Sequence, residues 1–111
     1  MIKILKELIG SKVQKTFFED LSQVDFESGA RLIIYNPVDI TSGDHSTLPN
    51  RENLKGAFLE GCSDSNGIAQ FFFSGNVVVS VKFGEKGKEF AWPEALQLRV
   101  PGNPIIVWQN D

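Results

Sequence analysis

Phe71-Phe72-Phe73-Ser74-Gly75-Asn76-Val77-Val78-Val79-Ser80-Val81 sets two apolar runs on either side of a short polar break containing a glycine. That pattern belongs to a β-hairpin buried at the centre of a sheet. The chain writes a similar pattern earlier. Gly10 and Gly56 are 46 residues apart, as are Gly29 and Gly75. At the same spacing Leu8 matches Leu54, Phe26 matches Phe72, Ser28 matches Ser74, Leu32 matches Val78 and Ile33 matches Val79. The pattern points to a structural repeat, with chance likeness between two hairpins as the alternative.

In the first copy, Val24 and Phe26 alternate with Gln23, Asp25 and Glu27, and Ala30, Leu32 and Ile34 alternate with Arg31, Ile33 and Tyr35. A three-residue loop Glu27-Ser28-Gly29, with Gly29 in the left-handed region, sets Phe26 opposite Ala30 and Val24 opposite Leu32. One face is then apolar and the other mixed. The second hairpin is apolar on both faces and is expected to lie deeper.

Around these hairpins the chain reads simply. Ile2, Leu5 and Ile9 form one helical stripe that ends at Gly10, a short N-terminal helix, with a strand as the competing reading. Lys12 to Glu19 follows as a strand. Asn36-Pro37 ends the first hairpin, since Pro cannot donate to a ladder. Thr41 to Asn53 is polar and without periodicity, an exposed loop. Gly84-Glu85-Lys86-Gly87-Lys88-Glu89 reads as a charged turn. Leu96, Leu98 and Val100 alternate in a strand stopped by Pro101-Gly102, and Ile105 to Trp108 forms the last strand. One domain over residues 1–111 is expected, mainly β (α+β): a single antiparallel bent sheet, half-barrel or small sandwich built from two related hairpins.

Hydrophobic residues make up 41% of the 111 and charged residues 23%, an ordinary balance for a globular chain with one core. The single Cys62 excludes an intrachain disulfide and fits a reducing compartment. No apolar run is long enough for a leader or a membrane span, so a cytoplasmic protein without membrane contact is expected. Net charge is −3 but uneven. Residues 19–64 hold nine acids (Glu19, Asp20, Asp25, Glu27, Asp39, Asp44, Glu52, Glu60, Asp64) against three bases (Arg31, Arg51, Lys55), a balance of −6. The basic clusters Lys3/Lys6/Lys12/Lys15 and Lys82/Lys86/Lys88 are diluted by acids, so direct nucleic-acid binding is not expected. The acidic stretch is either a solvated surface or a face that meets a basic protein.

Chemistry is sparse. Cys62 with His45 as base lacks any marked oxyanion hole. Asp44-His45-Ser46 spells a triad in letters, but no nucleophile elbow accompanies it. One His and one Cys fall short of a zinc site, and Asp64-Ser65-Asn66-Gly67 is better explained as a turn than as a calcium loop. The glycines match no phosphate-binding motif. No catalysis, metal or cofactor is therefore expected. Phe71, Phe72 and Phe73 point to alternate faces and read as core rather than a base-stacking surface. Trp92 and Trp108 read as packing residues, with binding anchors as the alternative.

Leu8-Ile9-Gly10, Phe26-Glu27-Ser28-Gly29-Ala30-Arg31-Leu32, Phe83-Gly84, Trp92-Pro93-Glu94-Ala95 and Ile106-Val107-Trp108 carry a likeness that runs through most of the chain. On these residues it resembles a loose group of short, uncharacterised bacterial β-rich proteins. In size and acidity it also resembles the cytoplasmic immunity proteins of bacterial contact-dependent growth inhibition. That second resemblance implies a non-enzymatic partner of one cognate toxin, often a nuclease, and carries no diagnostic motif. A nuclease must be basic to hold phosphate, and an inhibitor can offer carboxylates instead. The candidate contacts are Glu19, Asp20, Asp39, Asp44, Glu60 and Asp64, with His45. The alternative function is a small-molecule-binding or structural β domain in which the Phe-rich region lines a pocket.

Overall fold

The first hairpin closes as its spacing predicts. Gly29 takes φ +94°, its amide bonds back to the Phe26 carbonyl, and the Phe26 amide bonds to the Ala30 carbonyl. The structure is a computed structural model, and it describes residues 3–18, 21–41, 54–90 and 93–110. Helix α1 spans Lys3–Leu8. The strands are β1 (Val13–Phe18), β2 (Ser22–Phe26), β3 (Arg31–Ile34), β4 (Val38–Thr41), β5 (Leu59–Ser63), β6 (Ile68–Phe73), β7 (Val77–Lys82), β8 (Glu94–Arg99) and β9 (Ile106–Gln109). A 3-10 helix, Gly84–Gly87, occupies the charged turn after β7.

The strands form two antiparallel sheets, ordered β1-β2-β3-β8-β9 and β4-β7-β6-β5. Among the expected architectures this is the small sandwich. Both sheets feed one core, which includes Val24, Phe26, Leu32 and Ile34 from the first and Leu59, Phe71, Phe73 and Val79 from the second. Strand β4 is an addition to the sequence reading, which ended its strand at Pro37 and went on to a loop.

The repeat is present in the backbone. The Gly10 amide bonds to the Leu59 carbonyl, and the Gly56 amide bonds to the Val13 carbonyl. Val13 donates to Ala57, and Leu59 donates to Ser11. Each bond of either pair becomes the other when 46 is added to or subtracted from its residue numbers, so a pseudo-twofold axis passes through this seam. Lys12 and Phe58, matching residues, bridge each other on it. Both first strands also carry a bulge at the matching place, between Val13 and Lys15 and between Leu59 and Gly61.

Beyond those strands the sequence match slips by one. Phe26 pairs with Val13, whereas Phe73, not Phe72, pairs with Leu59. The turn after β5 is one residue longer, so the hairpins are related by 47 residues rather than 46. Phe26 and Phe73 are the true equivalents, and their rings stack with centroids 6.5 Å apart.

The second hairpin is not the deeper one. In β6 and β7 burial alternates, and Phe72 and Val78 are half-buried on the outer face. In β2, four of five residues are buried, as are three of four in β3. Both hairpins are interior to their sheets, and what differs is the outer face: on β2 and β3 the Gln23, Asp25 and Arg31 side chains bond to one another and cover it.

Candidate interaction surface

The strand alternation fixes where each candidate contact falls. Asp39 lies on β4 and Glu60 on β5, and both are exposed. These strands are the two opposite edges of the four-stranded sheet, so the two carboxylates do not form one cluster. Among the described residues neither has an ion-pair partner. Asp64 differs. It is half-buried, and its Oδ2 accepts a hydrogen bond of 3.4 Å from the indole Nε1 of buried Trp108. It therefore ties the end of β5 to β9. Glu19, Asp20, Asp44, His45 and Trp92 lie outside the described residues.

The strands that follow the two hairpins differ sharply in burial. Ile34, Ile33, Leu32 and Arg31 of β3 face Leu96, Gln97, Leu98 and Arg99 of β8. In the equivalent register Val81, Ser80, Val79 and Val78 of β7 face Val38, Asp39, Ile40 and Thr41 of β4. So β4 and β8 are equivalent strands, each following one repeat but joining the sheet of the other. In β8, which β9 covers, Ala95, Leu96, Gln97 and Leu98 are all buried; in β4 no residue is.

Comparison of the chain with protein-family models, curated proteins and solved structures finds no match. The surface itself carries what can be said of function.

Little reactive chemistry stands out among the described residues. No group of three or more His, Cys, Asp and Glu side chains is placed to hold a metal. Burial pushes the Cys62 thiol above its ordinary pKa, and the neighbouring Asp64 carboxylate adds to the rise. Such a thiol is held away from its nucleophilic form at neutral pH. Phe71 and Phe73 fill the core rather than line a pocket.

The outer face of the five-stranded sheet holds a feature that a charge count along the chain passes over. Lys15, Asp25, Arg31 and Arg99 stand side by side across β1, β2, β3 and β8. Asp25, counted with the acidic stretch, is 5% exposed. Its Oδ1 accepts hydrogen bonds of 2.9 Å from both Arg31 Nε and Gln23 Nε2. Arg99 donates to Gln97 Oε1, and Gln97 donates to Glu94. A polar cleft of about 140 Å³ opens at one end of this row, between Lys15 and Arg31. That is well below the roughly 300–1,000 Å³ of a drug-sized ligand site. The alternation in β1, β2, β3 and β8 held the signal for this row, once their order in the sheet was known.

Proposed function

We propose that the protein is a non-enzymatic binding protein, most concretely an immunity protein of contact-dependent growth inhibition that neutralises a basic, nuclease-type toxin in the cytoplasm. The observation that carries this reading is the pair of exposed carboxylates, Asp39 and Glu60, without ion-pair partners among the described residues, in a segment whose net charge is −6. Isolated acids on sheet edges contribute little to folding and are available to a cationic partner. Inhibition of this kind needs only a surface that competes with phosphate.

An immunity role requires an adjacent open reading frame with a toxin-like domain, and the test is whether this chain protects cells that express it. Asp39→Lys with Glu60→Lys should abolish protection and slow association roughly tenfold or more at low salt. Thermal stability should stay nearly unchanged. Asp64 is left out of the reversal, because Asp64→Lys would also break its bond to Trp108. Protection that survives both reversals, and Asp44→Lys added to them, would remove the acidic segment as the interface.

A further inference from the structure

The pseudo-twofold pairs every strand of one sheet with a strand of the other except β9. In the five-stranded sheet β9 covers the outer edge of β8. In the four-stranded sheet the equivalent edge belongs to β4, and no strand among the described residues pairs with it. The registers translate residue by residue: Ile40 stands where Leu98 stands, Asp39 where Gln97 stands and Val38 where Leu96 stands. β9 places Ile106 opposite Leu98, Val107 opposite Gln97 and Trp108 opposite Leu96.

We propose that the edge of β4 which no described strand covers receives an extended segment of the partner protein as an antiparallel fifth strand. Its side chains follow from what β9 supplies on the other sheet. An apolar residue would lie opposite Ile40 and a large apolar or aromatic one opposite Val38, completing the burial that β8 already has. Between them a Lys or Arg would lie opposite the exposed Asp39 on the outer face. The outward backbone groups of β4 supply affinity, and Asp39 selects a basic strand. Of the three other edge strands, β1 and β5 are less inviting because they are bulged. This inference rests on the reading that the chain binds a basic protein, and it names the shape of the bound segment.

The probe is a capped synthetic peptide of residues 104–110 carrying Val107→Lys, added to the full-length protein and followed by NMR. Saturable shifts confined to residues 38–41 and the adjoining β7 are expected. Affinity should fall at least tenfold with Asp39→Lys and return when the peptide carries Glu in place of that Lys. No binding at millimolar peptide would overturn the proposal, and so would shifts on residues 94–99, where the peptide would be replacing β9. Slow hydrogen exchange at all four β4 amides in the free protein would overturn it too, since the chain would already cover its own edge. Failure of the peptide, with protection still lost on charge reversal, removes this inference and leaves the immunity reading. Peptide binding with protection indifferent to Asp39 and Glu60 does the reverse.

Discussion

A β-carbon on Gly87 would stand 2.0 Å from Oδ1 of Asn110, 2.9 Å from its Cγ and 3.1 Å from Nδ2 of Asn36. The 3-10 helix can approach this pair of amides only through a glycine. Gly87→Ala should therefore lower stability by about 1–3 kcal/mol in urea unfolding, the usual range for overpacking. An unchanged midpoint would mean that Asn110 can move aside freely. Cys62 makes a second prediction at this scale. Its folded pKa lies above the reference 9.0, and that of the unfolded chain lies near it. Below pH 9 both states hold the proton and no stability is lost. As pH rises from 9.0 through the raised folded value, the unfolded chain releases its proton first and stability falls. The pH–stability curve of Cys62→Ala should lack this part of the alkaline decline, whatever its offset from the lost packing; parallel curves for the two proteins would contradict it. Residue types alone marked no catalytic setting for Cys62, and the structure packs it into the core. They did not announce the part played by Asp64, because an acid in a turn reads as solvated until the strand that brings Trp108 to it is known.

Hairpin loops were the most legible elements. Glu27-Ser28-Gly29 and Ser74-Gly75-Asn76 both place their third residue at positive φ, Gly29 at +94° and Asn76 at +62°. Asn tolerates that region better than most residues, so the repeat keeps the loop length and the positive φ of its last residue, although Gly75 before it also takes φ +84° where its equivalent Ser28 does not turn positive. The one-residue slip in the match arose two elements earlier. There Asn66 and Gly67, both at positive φ, form a tight turn closed by the Ile68 amide on the Ser65 carbonyl. Strand β4 went unread although Val38-Asp39-Ile40-Thr41 alternates apolar with polar, because four residues straight after a proline are a short signal and their partner β7 lies about forty residues away in sequence. What pins the crossover into β4 is Asn36, which is buried. Its Nδ2 donates to the Lys82 carbonyl and to Asn110 Oδ1, and Asn110 Nδ2 donates back to Asn36 Oδ1. Asn36→Ala leaves these groups without that partner and should cost about 1–3 kcal/mol. The loss should be strongly non-additive with Asn110→Ala, because the two side chains share the same bonds. An additive double-mutant cycle, measured by chemical denaturation, would show that the amide pair does not act as a unit.

At the scale of the whole molecule, the two repeats are interleaved. The first contributes β1, β2 and β3 to one sheet and β4 to the other; the second contributes β5, β6 and β7 to the latter and β8 and β9 to the former. Neither half completes a sheet on its own. Separated from residues 51–111, the first half would keep β2 beside β3 but leave Leu32 and Ile34 without β8 on their other side, and Phe26 without Phe73. Separated from residues 1–50, β7 would lose β4, and the seam at Lys12 and Phe58 would have one side only. Each fragment would expose apolar area that the intact chain buries, at about 25 cal/mol per Å², with too few strands to offset the entropy of ordering. The two fragments, cut between Asn50 and Arg51, are thus expected to lack cooperative thermal unfolding when alone. Mixed in equal amounts, they should regain the β-sheet circular dichroism and a single unfolding transition. Their midpoint should rise with concentration, since reassociation is bimolecular. Independent cooperative folding of either fragment would contradict the interleaving, because it requires a sheet that completes itself without the exchanged strand.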